Sequence, residues 1–247
     1  MNTVVVIPAR YASSRLPGKP LRVLAGKTLI QHVHERALAA GFANVLVATD
    51  DERIHAVCEG FGAKVVMTAS THETGSDRLA EVAQQQGWAD DTIVVNLQGD
   101  EPLTPVVNLH QLVRNLEQRP QDSIATLATP ITEESDFANP NIVKVVRDEQ
   151  GMALYFSRAP IPFQREGGMP VGEYALRHIG MYAYRAGFLK AFAVMPPSLP
   201  EQLEKLEQLR ALANGYRIHV DIAAEIPAVG VDTEEDAVRI AALLQQG

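Results

Sequence analysis

The chain has 247 residues, with 22 Lys and Arg against 30 Asp and Glu, a formal net charge of −8, and 46% hydrophobic side chains. That balance gives ample material for a buried core in one α/β domain, spanning 1–247, and argues against nucleic-acid binding, which normally leaves a broad basic face. One cysteine, Cys58, excludes an intrachain disulfide. No apolar run approaches the ~18 residues of a membrane span, and no signal-peptide pattern opens the chain, so a cytoplasmic protein without membrane insertion is expected.

Val4–Ile7 is apolar without alternation, the pattern of a buried parallel strand, and Pro8 is expected to stop it. The loop that follows carries Arg10, Arg15 and Lys19, and no acidic residue precedes Glu35. A cationic island at the end of the first strand of an acidic chain suggests a place for a polyanion. Neither G-x-G-x-x-G nor a P-loop is present, since Gly18-Lys19 is followed by Pro20.

Thr28 can cap a helix ending at Gly41. Val45–Thr49 and Lys64–Met67 read as strands, and Asp50-Asp-Glu-Arg53 opens a helix between them, with Asp50 a candidate N-cap. Thr71–Arg78 reads as a polar loop entering a helix over Leu79–Gln86. Thr92–Leu97 is another buried strand, ending in Gln98-Gly-Asp100-Glu-Pro102, before a helix at Val106–Leu116 and a strand at Ile124–Ala128. Strand alternating with helix predicts a Rossmann-like, mostly parallel sheet with helices on both faces, its functional loops at the carboxyl ends of the strands.

Between about 130 and 185 the rhythm loosens into a smaller sheet-like excursion, with strands expected at Val143–Val146, Ala153–Phe156 and Leu176–Tyr184. In the last of these, alternation points His178 and Tyr182 the same way, toward a polar face or site. Leucine spacing predicts one helix through Leu199, Leu203, Leu206, Leu209 and Ala213; a strand at Arg217–Val220 and a helix over Glu234–Leu244 complete the chain. Asp50, Asp100 and Asp232 are strand-ending carboxylates suited to Mg²⁺, and each also fits a capping or turn role.

The stretch Val6-Ile-Pro-Ala-Arg-Tyr-Ala-Ser-Ser-Arg-Leu-Pro-Gly-Lys19 resembles the signature of the sugar-nucleotide cytidylyltransferases, of the nucleotide-diphospho-sugar transferase fold. Asn139–Val146, Leu176–Tyr182, Leu206–Arg210 and Gly230–Thr233 are similar, within that group, to the 3-deoxy-manno-octulosonate (Kdo) cytidylyltransferases. One departure is the stretch Gln164–Glu173, where family members differ in length. The resemblance implies transfer of CMP from CTP to Kdo, with Mg²⁺, in a homodimer. It implies phosphate contacts from Arg10, Ser13, Arg15 and Lys19, and nucleotide contacts from Ala9, Gly75, Arg78 and Gln98. Asp100 and Asp232 would hold the metal, and with Arg10 and Lys19 carry catalysis. Gln98, Arg158, His178, Tyr182, Glu207 and Gln208 would line the sugar-acid pocket, with Arg158 and His178 facing the substrate carboxylate. A related sugar acid (an amino-substituted Kdo or an acylneuraminate) or a non-catalytic binding module are the competing expectations.

Overall fold

The computed structural model describes residues 2–12, 16–72, 74–170 and 172–245. In chain order they form β1 (Thr3–Ala9), β2 (Val23–Leu24), β3 (Lys27–Thr28), α1 (Leu29–Ala39), β4 (Val45–Thr49), α2 (Glu52–Gly60), β5 (Lys64–Met67), α3 (Gly75–Gln85), β6 (Ile93–Asn96), α4 (Val106–Gln118) and β7 (Ile124–Pro130). There follow α5 (Glu134–Ala138), β8 (Lys144–Arg147), β9 (Ala153–Ser157), β10 (Leu176–Arg185), α6 (Ala186–Phe192), α7 (Leu199–Glu204), α8 (Gln208–Ala213), β11 (Ile218–Ile222) and α9 (Glu234–Leu244).

The main sheet runs in the order β11-β7-β10-β6-β1-β4-β5, with β8 on β10 and β9 on β8. Pairs β6–β1, β1–β4, β4–β5 and β11–β7 are parallel; β10 is antiparallel to both β6 and β7. Alternate residues divide between two cores. Val5, Ile7, Ile93 and Val95 face one, and Val4, Val6 and Val94 face the other. Both faces are covered, which is why these strands read as unbroken apolar runs.

Pro8 does not end β1: it pairs with Ala48, and the strand continues to Ala9. The register of β1 with β6 stops at Val6, so the missing N–H of Pro8 falls where one side of the strand has no partner. The helix expected from Leu79 begins at Gly75 instead. Thr74 caps it, accepting from the Asp77 amide at 3.2 Å and donating to Asp77 Oδ2 at 2.8 Å, so Arg78 lies in its first turn. Thr28 occupies the N-cap of α1, but its hydroxyl makes no capping bond.

The leucine-spaced stretch is two helices. Lys205 adopts a left-handed conformation (φ 55°) between them, and the chain folds back so that Glu201 of α7 holds Arg210 of α8 at 2.6 Å. Leu199 and Leu203 are consequently exposed while Leu206 and Leu209 are buried. Spacing alone carried no sign of that break.

Asp51, and not Asp50, caps α2, accepting from Arg53 N at 3.0 Å. Asp50 faces Arg78, a residue 3% exposed whose guanidinium also donates to Thr68 Oγ1. The Asp50–Arg78 distance is 3.2 Å. The two neighbouring carboxylates therefore differ in what their removal costs. Asp51→Ala should lose a cap, about 1 kcal/mol. Asp50→Ala should leave a buried cation without its carboxylate, at about 3 kcal/mol. Urea unfolding of both variants checks this, and equal midpoints would show that the Arg78 charge is balanced elsewhere.

Candidate active site

A cavity of about 270 Å³ opens at the carboxyl ends of β1 and β6. Ala9, Arg10, Lys19 and Pro20 line it from the first loop, and His72, Thr74, Gly75 and Arg78 from the entry to α3. Gln98, Gly99 and Asp100 come from the loop after β6, and Asp232 from the approach to α9. Lys19 Nζ lies 2.6 Å from Asp100 Oδ2 and 3.1 Å from Asp232 Oδ1. The loops of the two carboxylates meet because Val231 N donates to the Asp100 carbonyl at 2.9 Å. A Cβ on Gly230 would sit 3.0 Å from that same oxygen, so only glycine allows this approach without a shift.

Six of the residues expected at the nucleotide, Ala9, Arg10, Lys19, Gly75, Arg78 and Gln98, thus share one cavity with the two expected metal ligands, Asp100 and Asp232. Ser13 and Arg15 lie outside the described residues. Two half-exposed carboxylates around an ammonium group are a donor set of hard oxygens that fits a divalent cation such as Mg²⁺. Among the described residues no group of three or more His, Cys, Asp or Glu side chains forms a full cage. A metal held by one or two carboxylates completes its shell with substrate phosphates. Beside the pair, burial first and the Asp100 charge second push the Glu101 carboxyl up to about 7.

A second, much smaller void of about 10 Å³ is lined by Ser76, Tyr182, Tyr184, Phe192, Glu207 and Gln208, among others. It holds no sugar until side chains move. Around it, Tyr182 Oη, Glu207 Oε2 and Gln208 Nε2 are buried without hydrogen-bond partners. Asn96 Oδ1, on the neighbouring strand, is a fourth such atom. Each unmade bond costs about 1–3 kcal/mol, so these clustered donors and acceptors are groups that a polar ligand would satisfy. Glu207 is not the i,i+3 partner of Arg210; it accepts from Ser76 Oγ at 2.7 Å.

His178 and Tyr182 do share a face, with ring centroids 5.3 Å apart. The face is aromatic, however, not open and polar: Phe156 meets His178 edge-on at 5.0 Å, and Tyr184 stacks on Tyr182 at 5.4 Å. Desolvation there pushes the imidazole pKa down to about 3. Thr126 gives its one hydroxyl proton to Met181 O at 2.6 Å, so its 3.0 Å contact with His178 Nε2 requires the proton on that nitrogen. Nδ1 is then a lone-pair acceptor, which does not suit a carboxylate partner. Arg158 likewise departs from expectation. Its guanidinium donates to Glu204 O at 2.7 Å and Pro140 O at 3.0 Å, and it lines neither cavity.

The cytidylyltransferase family model matches residues 4–221. The 3-deoxy-manno-octulosonate cytidylyltransferase of Thioalkalivibrio sulfidiphilus is 58% identical, over 99% of this chain and 100% of its own length. That of Pasteurella multocida is 49% identical, over 99% of each. A solved CMP:2-keto-3-deoxy-manno-octonic acid synthetase complexed with CTP superposes with a TM-score of 0.90 at 44% identity, covering 100% of this chain and 99% of that one. The chain belongs to the cytidylyltransferase family.

For a cytidylyltransferase, a nucleotidyl-transferring enzyme, the first cavity supplies what a nucleoside triphosphate requires: cations, carboxylates and a helix N-terminus. Sequence reasoning missed His72, Thr74, Ser76 and Tyr184. The T-x-x-D pattern at Thr74–Asp77 was the available signal for the first helical turn, and hence for Thr74 and Ser76. Tyr184 lay in plain alternation with Tyr182. Nothing in the sequence pointed to His72.

The depressed His178 pKa has a consequence for stability. In the unfolded chain the imidazole titrates near 6.5, so between that pH and about 3 the unfolded state binds the extra proton. This contribution is complete above pH 6.5 and is lost as pH falls. His178→Asn should therefore unfold with a shallower pH dependence than the parent between pH 7 and 5, read from urea midpoints; parallel curves would refute the assignment.

Proposed function

We propose that this cytidylyltransferase transfers CMP from CTP to the anomeric hydroxyl of Kdo, releasing pyrophosphate and activating Kdo for lipopolysaccharide assembly. The observation that carries the reading is the adjacency of the two cavities. Thr74 and Gly75 line the one with cations and carboxylates, and Ser76, the next residue, lines the one with orphaned polar atoms. Relatives matching over their full length are named for this reaction.

In the proposed step the anomeric hydroxyl gives up its proton to solvent, its oxygen bonds to the α-phosphorus, and the bond from that phosphorus to the bridging oxygen breaks as pyrophosphate leaves. Such a transfer depends on positioning and charge stabilisation more than on a protein nucleophile. Arg10 and Lys19, with Ser13 and Arg15, would hold the phosphates; Arg78 and Gln98 would orient the nucleotide. Asp100 and Asp232 would hold Mg²⁺, which when bound supplies charge stabilisation at the reacting phosphate. Tyr182, Glu207 and Gln208 would bond the sugar hydroxyls, Gln98 would reach across from the nucleotide side, and His178 would accept from a hydroxyl through Nδ1. Where CTP is made the reaction can run, so a cytoplasmic setting follows.

We also propose that the chain acts as one domain and as a homodimer. Strand β9 pairs with β8 alone among the described strands and exposes Leu154, and Phe163 beyond it is 86% exposed. Sedimentation velocity should give twice the 26.9 kDa chain mass; a monomer at assay concentration would remove this proposal.

Pyrophosphate release with CTP, Mg²⁺ and a panel of Kdo, an amino-substituted Kdo and an acylneuraminate tests the reaction. Release is expected with Kdo first. Release with neuraminate alone would sink the reading, and none with any acid would favour a binding module. Asp100→Asn should lower turnover by about 10²-fold or more with the fold intact by circular dichroism. Near-normal turnover would take Asp100 out of the metal site.

A further inference from the structure

We infer that Ser76, backed by Tyr184 and Asn96, is a positioning residue that sets the Glu207 carboxylate for the sugar acid. This rests on the reading of Glu207 as a sugar-acid ligand.

Three facts carry it. Ser76 is 2% exposed and its Oγ donates to Glu207 Oε1 at 2.7 Å. The hydroxyl has a single proton, already spent on the carboxylate, so its 3.1 Å contact with Tyr184 Oη runs from tyrosine to serine. The Asn96 side chain hydrogen-bonds the Tyr184 hydroxyl in turn. The result is a chain of donors, Asn96 to Tyr184 to Ser76, that ends on one oxygen of Glu207 and points only one way.

Glu207 has little else to fix it. Arg210, three residues on, is bound by both carboxylate oxygens of Glu201. Burial pushes the Glu207 carboxyl up, and the bond from Ser76 opposes that. Ser76 also lies in the first turn of α3, an 11-residue helix whose N-terminal partial charge favours an anion. One oxygen of Glu207 is thereby clamped, and Oε2, which has no partner, is left for the ligand beside Tyr182 and Gln208.

Steady-state kinetics with CTP and Kdo, on the parent and on Ser76→Ala, Ser76→Thr, Glu207→Gln and the Ser76→Ala/Glu207→Gln double variant, provide the test. Ser76→Ala should raise KM for Kdo about tenfold, the scale of one hydrogen bond to a charged group, and leave KM for CTP within about twofold. Ser76→Thr keeps the hydroxyl and should recover most of the loss. The double variant should be no worse than Glu207→Gln alone, because the two side chains act as one unit. Equal rises in both KM values, or additive losses in the double variant, would make Ser76 merely structural and overturn the inference. If Glu207→Gln raises KM for Kdo and Ser76→Ala does not, the positioning role alone falls. If Glu207→Gln leaves KM for Kdo unchanged, the sugar-site reading falls with it. Should Ser76→Ala not fold, Tyr184→Phe takes its place: a rise of about threefold for Kdo alone supports the chain of donors, and no rise refutes it.

Discussion

The ammonium group of Lys19 joins three stretches of chain that the sequence holds 81 and 213 positions apart. Two carboxylates drawn to one spot repel each other, and a cation between them offsets that repulsion. Lys19 keeps its side chain only 14% exposed, so the attraction is screened less than at an open surface. The rest of the first cavity follows from this junction. It fixes where the loop after β1 ends, how the loop after β6 turns, and where α9 begins. An entering triphosphate would compete for the same ammonium, so nucleotide binding and carboxylate geometry are linked through one side chain.

The two cavities differ in the medium they offer. The first is polar, and its two carboxylates, Asp100 and Asp232, keep contact with water. The second is largely aromatic, bordered by the ring series Tyr182, Tyr184, Phe188 and Phe192, with successive centroids 5.4, 5.9 and 5.5 Å apart. Among these buried side chains each hydrogen bond is stronger and each missing one dearer. A site built that way discriminates steeply, because an analogue lacking a hydroxyl leaves a buried partner unmade. Phosphate recognition tolerates water, whereas recognition of a particular sugar acid gains from its exclusion.

Much of this was legible in the sequence, for identifiable reasons. Parallel strands covered on both faces leave unbroken apolar runs, so β1, β4, β5 and β6 could be placed from composition alone. Lys19, Asp100 and Asp232 stood out as charged residues at strand ends, and motif resemblance joined them. What failed was local. The break at Lys205 depends on Glu201 reaching back to Arg210, a contact between two helices that a leucine count cannot register. Pro8 reads as a stop signal, and only the offset between β4 and β6 along β1 makes it harmless. Arg158 is a motif residue whose guanidinium is taken up by backbone carbonyls, and a motif does not say which way a side chain turns.

The histidine–tyrosine pair shows how a sequence rule can succeed through a geometry it did not contain. In a regular strand, residues four apart share a face but lie about 13 Å from one another. On β10, His178 pairs with Ala128 and Tyr182 with Thr126, so four steps on one strand match two on the other. The surplus is an even number, which preserves the face; an odd one would have sent the two rings to opposite cores. Gly180, at φ 82°, takes up the distortion. The bulge draws the rings to 5.3 Å and turns a stripe of separate side chains into one aromatic wall. A parallel sheet reserves its strand ends for the nucleotide. A strand that is antiparallel, inserted between β6 and β7 and locally shortened, sets this aromatic wall against Asn96 and Ser76 and away from those ends.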